Sequence, residues 1–236
     1  LTPGRCTEYR FERRRASTLT FVISGSAGPD IYSRKVVSEL EASGKRVLPL
    51  DWRTNRAGDS WSIFSSALTA GENGRRYGAE MGAALQQSPI ASVHVVAISA
   101  GAFAADALII AARRALPNAY LRMTILDGFT ADGAASALAD DADAPGLTSF
   151  GIDADFAEAY INTDDPVPST TLPLRNAVNY DVTSAALRSR FEPVLAERGD
   201  SLHLWPAAYY GEVVAAKITD VSRSAETMPI GAFVLA

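Results

Sequence analysis

A serine hydroxyl attacks a carbonyl at neutral pH only when a base takes its proton and hydrogen-bond donors await the oxyanion. Ser99 is the serine whose surroundings best suit that task. It sits in Ala97-Ile98-Ser99-Ala100-Gly101, after the continuous apolar run 93–98 and before the small, mostly apolar run 102–115. A buried strand, a sharp turn and a helix in immediate succession hold a turn serine with its hydroxyl presented. The residues two positions to either side must be small where the turn meets its neighbours. Ala97 and Gly101 meet that need. The helix behind the serine also aims backbone N–H groups at a developing negative charge. The competing use of Ser99 is as a cap for that helix.

The base must come from two histidines. His94 lies within the apolar run, and its odd spacing from Ser99 puts the two side chains on opposite faces of a regular strand, so a structural role is expected. His203, just before an apparent helix over 207–216, is the expected base. A carboxylate must then orient the imidazole and stabilise its protonated form. Asp127 and Asp165 both follow apolar strands and precede His203, so chain order does not choose between them; Asp164 is a weaker third candidate. The oxyanion donors are expected to be the backbone N–H of Ala100 and, from the turn Gly25-Ser26-Ala27-Gly28, that of Ser26.

These residues need a scaffold, and apolar runs alternating with helical patterns supply one: a mainly parallel sheet with helices on both faces. Strands are expected over 19–23, 47–52, 93–98, 121–126, 157–161 and 177–182. Asp30 is placed to cap a helix carrying Ile31, Val36, Val37 and Leu40, with Gly44 at its end. Tyr77, Met81, Ala84 and Leu85 mark a second helix that stops before Pro89, preceded by a weakly periodic stretch over 54–70. The Ala-, Asp- and Gly-rich segment 129–155 reads as an insertion at the sheet edge. A further helix is expected over 184–197. A flap or lid is expected within 129–156 or 183–202.

With 236 residues the chain suits one α/β domain. A net charge of −5 gives no general attraction to phosphate backbones. The small basic cluster at 10–15, without an aromatic platform, reads as a solvated edge, so no nucleic-acid partner is expected. Cys6 is the single cysteine, which leaves no internal disulfide and no cysteine-rich metal site. Asp140, Asp141 and Asp143 lack an ordered calcium-ligand pattern, the Lys-Ser/Thr ending of a phosphate loop is absent, and the dinucleotide glycine pattern is missing. No metal or cofactor is therefore expected. No apolar stretch reaches the ~20 residues a transmembrane helix needs. The chain opens on Leu1 with no apolar signal segment, so a soluble protein is expected, either cytoplasmic or exported with its signal peptide already removed.

The motifs, taken in order, resemble a minimal pancreatic-type triglyceride lipase catalytic domain of the α/β-hydrolase superfamily. Phe21-Val22-Ile23-Ser24-Gly25 resembles that family's strand and His-Gly turn, with Ser24 for the histidine. The segment 47–53 is similar to its second strand ending in Asp51-Trp52-Arg53. The stretch from Val93 to Ala102 resembles its nucleophile segment, with Ala97 for Gly and Ile98 for His. Leu126-Asp127 matches the position of the family's acid, although Gly128-Phe129 replaces its Pro-Ala. The segment 153–164 is similar to one ending in His-Thr-Asp, and His203-Leu204-Trp205 with Tyr209-Tyr210-Gly211-Glu212 resembles the histidine segment. The resemblance implies Ser99, Asp127 and His203 as the triad. It also implies hydrolysis of lipid-like or short- to medium-chain acyl esters. The alternatives are a thioesterase or amidase using the same residues, and a catalytically silent binding protein of the same fold.

Overall fold

The computed structural model describes residues 18–52, 63–86, 88–132 and 144–217. Six strands, β1 (Thr18–Ile23), β2 (Arg46–Leu50), β3 (Ser92–Ile98), β4 (Tyr120–Leu126), β5 (Phe156–Ile161) and β6 (Val178–Asp181), form one sheet in the order β2-β1-β3-β4-β5-β6. Every pairing is parallel. The helices are α1 (Ile31–Ala42), α2 (Ile63–Ala83), α3 (Ala102–Ala115), the short α4 (Pro145–Ser149), α5 (Arg188–Arg198) and α6 (Trp205–Tyr209), which runs into a π-helical segment, Tyr210–Ala215. Among the described residues no helix is long and apolar enough to cross a membrane.

The sheet is buried on both faces, which is why its strands read as continuous apolar runs rather than as alternating ones. Phe21, Ile23, Val95, Ala97, Met123, Ile125 and Ala159 face α2 and α3. Val22, Val96, Ile98, Leu126 and Tyr160 face α1 and the C-terminal helices, among them the buried Trp205 and Tyr210. The strand order reverses between β1 and β3, so the loops that leave these two strands diverge. At such a switch point parallel sheets open a crevice beyond the carboxyl ends of their strands. The Gly25–Gly28 turn and Ser99 both emerge there.

Several local expectations hold at atomic detail. Asp30 caps α1 in a reciprocal capping box with Ser33, and Gly44 follows the helix end with φ +79°. Others shift. Strand β2 ends at Leu50, and Trp52 turns inward so that its indole N–H donates to Ser24 O at 2.8 Å. Helix α5 begins at Arg188 rather than at residue 184, because turns at Ala185 and Arg188 occupy the interval. The expected helix over 207–216 starts at Trp205 and widens into π geometry from Tyr210, where Gly211 lies against Lys35 and Val36 of α1.

Helix α2 reaches back to Ile63, into the stretch that showed little periodicity. Its contact with α3 is made through Gly74, Gly78 and Gly82, where a Cβ would collide with α3 backbone or Cβ atoms. Of the expected apolar positions, Tyr77 and Met81 lie on this helix and pack against the core, and Leu85, just past its end, is buried. In the segment expected to form a flap, residues 133–143 lie outside the described residues. Its flanks are core: Phe129, Ala131, Ala144, Leu147 and Phe150 are all buried against the α2/α3 side of the sheet.

Candidate active site

Ser99 follows β3 with φ +52°, a left-handed backbone that is uncommon outside glycine and costs an L-residue about 1–2 kcal/mol. The strain is held by close packing on both sides. Ala97 is fully buried, and a Cβ at Gly101 would stand 2.6 Å from Ser24 O and 3.1 Å from Ile23 O. A Cβ at Gly25 would lie 3.3 Å from Ser99 Cβ, so the loop after β1 is stacked on the serine turn. That loop is closed by Gly28 N–H donating to Gly25 O at 3.0 Å, with Ser26 at the corner and half-buried. Ala100 follows Ser99 in the 3₁₀ turn that precedes α3. The two expected oxyanion residues thus flank the serine. The capping role has no support: the α3 cap residue is Gly101, and no side-chain cap bond is made.

Ile98 pairs with Leu126 at the end of the β3–β4 ladder, so Ser99 and Asp127 leave adjacent strands at one level. Neighbouring strands lie about 4.8 Å apart. Asp127 too is left-handed, with φ +49°, and its N–H donates to Tyr160 O at 2.8 Å. Its Oδ1 accepts from Asn162 N–H at 3.2 Å, and its Oδ2 lies 3.1 Å from His203 Nδ1.

Asp165 was expected to be one of two possible acids, and it also reaches the histidine. Its Oδ2 lies 2.6 Å from the same His203 Nδ1, and its side chain is fully buried. Val167 N–H donates to its Oδ1 at 3.1 Å, and the Thr170 hydroxyl donates to its Oδ2 at 2.6 Å. Asp164 points away: it is exposed and pairs with Arg188 at 3.1 Å. Sequence reasoning missed Thr170 and the Asn162 N–H. Only the contacts of the folded chain reveal them.

His203 sits in a 3₁₀ turn capped by Ser201, followed by Trp205, whose indole N–H donates to Val182 O at 2.8 Å. Both carboxylates engage Nδ1, while Nε2 is buried without a partner among the described residues. Burial works against the charged imidazolium, but the hydrogen bonds and charges of Asp127 and Asp165 outweigh it and push the pKa up to about 9. Burial raises Asp127 to about 7 despite its bond to His203. Burial also works to raise Asp165, yet its bonds from His203 and Thr170 bring it below the ordinary carboxylate value.

His94 lies on the α1 face of the sheet, buried, with Nε2 2.8 Å from Thr124 Oγ1. The Thr124 hydroxyl donates to Glu158, which also pairs with Arg122 at 2.6 Å. Burial, with Arg122 and Lys45 nearby, holds His94 well below the ordinary histidine value, so it is a neutral structural residue.

Asp127, Asp165 and His203 offer ligand atoms within 4.8 Å of one another, close enough to consider a metal ion. The spacing suits a proton better. Ligands at ~2.0–2.1 Å around a tetrahedral zinc stand ~3.3 Å apart. Here Nδ1 and the Asp165 oxygen are 2.6 Å apart, and that oxygen also accepts from Thr170. No protein-family model matches this chain, and no curated protein matches it.

Proposed function

We propose that this chain is a serine hydrolase of the α/β-hydrolase fold that cleaves carboxylic esters through an acyl-enzyme on Ser99. The observation that carries the reading is the left-handed Ser99 at the carboxyl end of β3, at the sheet's switch point and level with the carboxylate that bonds His203. A strained non-glycine backbone, locked between a buried strand and a helix, is the geometry that presents a nucleophile.

In this reading Ser99 Oγ attacks the ester carbonyl carbon while His203 Nε2 takes its proton. The negative charge passes to the carbonyl oxygen, where the Ala100 and Ser26 N–H groups receive it. The tetrahedral intermediate collapses, the alkoxide leaves with the proton from Nε2, and the acyl group remains on Ser99. Water, deprotonated by the same nitrogen, then releases the acid. Lipid-like or short- to medium-chain acyl esters are the proposed substrates. Thioesters and amides would use the same residues.

Reaction with a fluorophosphonate, read by intact mass beside hydrolysis of nitrophenyl esters, tests the proposal. Wild-type protein should gain one adduct and turn over ester, and Ser99→Ala should do neither. A folded wild-type protein inert to both reagents would instead mark a binding protein that keeps the fold without turnover.

A further inference from the structure

Two carboxylates on one imidazole nitrogen are one more than a triad requires. We propose that Asp127 and Asp165 act as one two-acid clamp on His203 Nδ1, in which Asp165 carries the charge at neutral pH and Asp127 holds a proton. The inference rests on the hydrolase reading above for its catalytic consequence, and on geometry for the clamp itself.

The two acids follow adjacent parallel strands, Asp127 directly after β4 and Asp165 in the turn after β5. Both aim Oδ2 at Nδ1, at 3.1 and 2.6 Å. Nδ1 has one hydrogen to share between them. Two ionised carboxylates so near each other repel strongly in a buried site, and one holds a proton more readily. The hydrogen bonds decide which. Asp165 accepts from Val167 N–H, the Thr170 hydroxyl and His203, donors that favour a carboxylate. Asp127 accepts from Asn162 N–H and meets His203 at the longer distance, and its hydrogen bond with Asp165 favours the protonated form on Asp127 and the ionised form on Asp165. These two acids are the groups that most raise His203 against its burial.

As Ser99 transfers its proton to Nε2, the imidazolium Nδ1–H rests against Asp165, and the proton on Asp127 stays within the clamp. With either acid exchanged, the other still offers its carboxyl oxygen to the ring. Both are positioning residues, since neither touches the ester.

The test is a double-mutant cycle with Asp127→Asn, Asp165→Asn and the double exchange, alongside NMR titration of the His203 ring. Each single exchange should lower kcat/KM about tenfold, and the double exchange by about 10⁴-fold, the loss that follows when a triad has no acid. Asp127 has given up its proton by the pH at which the ring titrates, so each single exchange should also move the His203 midpoint down, and the double exchange should take it to ~6.5 or below, where burial acts unopposed. Melting curves establish folding. If an Asn variant does not fold, Asp127→Ser or Asp165→Ser removes the same carboxyl group. A single exchange that by itself reproduces the loss of the double, or a His203 midpoint insensitive to one of the two, overturns the clamp. Wild-type protein inert to fluorophosphonate would defeat the hydrolase reading instead, and the NMR arm would still decide whether both carboxylates hold the ring.

Discussion

Gly78 supports the serine turn from behind, and Gly78→Ala should both loosen the fold and slow the chemistry. A Cβ at this position would stand 2.1 Å from Ala104 O and 2.9 Å from Leu108 N, inside α3. Ordinary contact begins near 3.4 Å, so α2 and α3 must part by more than an ångström at this point. The obstruction is backbone, which cannot rotate aside. Forcing a methyl group into such an interface costs about 1–3 kcal/mol. Alanine regains about 1 kcal/mol of helix propensity over glycine. An overlap of this depth against backbone takes the upper end of that range, so the net is a loss of about 2 kcal/mol, or roughly 4–8 °C in Tm for a chain of this size. Ala104 lies in the first turn of α3, directly behind Ser99, so the shift should also displace the nucleophile and depress kcat. Thermal melts by circular dichroism and nitrophenyl ester assays read the two effects. Gly44→Ala is the control: it has φ +79° and nothing within 4 Å, so it carries backbone strain without a collision. A Gly78→Ala variant as stable as wild type would refute the argument that backbone contact, rather than propensity, governs this helix pair.

Ser99→Ala should lower kcat by about a thousandfold or more while leaving the melt near that of wild type, because the left-handed turn is held by its neighbours rather than by the hydroxyl. His203→Ala should match that loss, whereas His94→Ala should reduce stability and leave the ester chemistry in place, as its imidazole bonds Thr124 on the opposite face. Only neutral His203 can accept the serine proton. With its pKa raised to about 9, the neutral fraction and the rate should grow with pH through the neutral range, reach half their maximum near pH 9 and level off above it. A chemistry-limited rate that is flat from pH 7 to 9 would count against two carboxylates on the ring. Gly101→Val should abolish folding or activity, since even a Cβ meets Ser24 O at 2.6 Å.

The turn that carries Ser99 was legible because everything that defines it is local: an apolar strand, a small residue on either flank, and a helix whose span, Ala102–Ala115, coincides with the reading from composition. Helix α1, with Asp30 before it and Gly44 after it, was legible for the same reason. The C-terminal π segment, Tyr210–Ala215, was read as ordinary helix, since its residues carry no local signal that separates the two. Helix α2 was read only from Tyr77 onward, since the residues that begin it at Ile63 carry little apolar periodicity.

The acid shows the limit most plainly. By itself the amino-acid sequence determined that a carboxylate after Ser99 and before His203 should orient the ring, and it left Asp127 and Asp165 equal. Resemblance alone then favoured Asp127. Only the tertiary structure decided that both touch Nδ1 and that Asp164, next in the chain to one of them, does not. The order of residues along a chain limits which strand ends can carry an acid. Whether a carboxylate arrives at a ring nitrogen depends on the level at which parallel strands end, on the left-handed turn at Asp127, and on the Asn162–Thr170 loop that curls Asp165 inward.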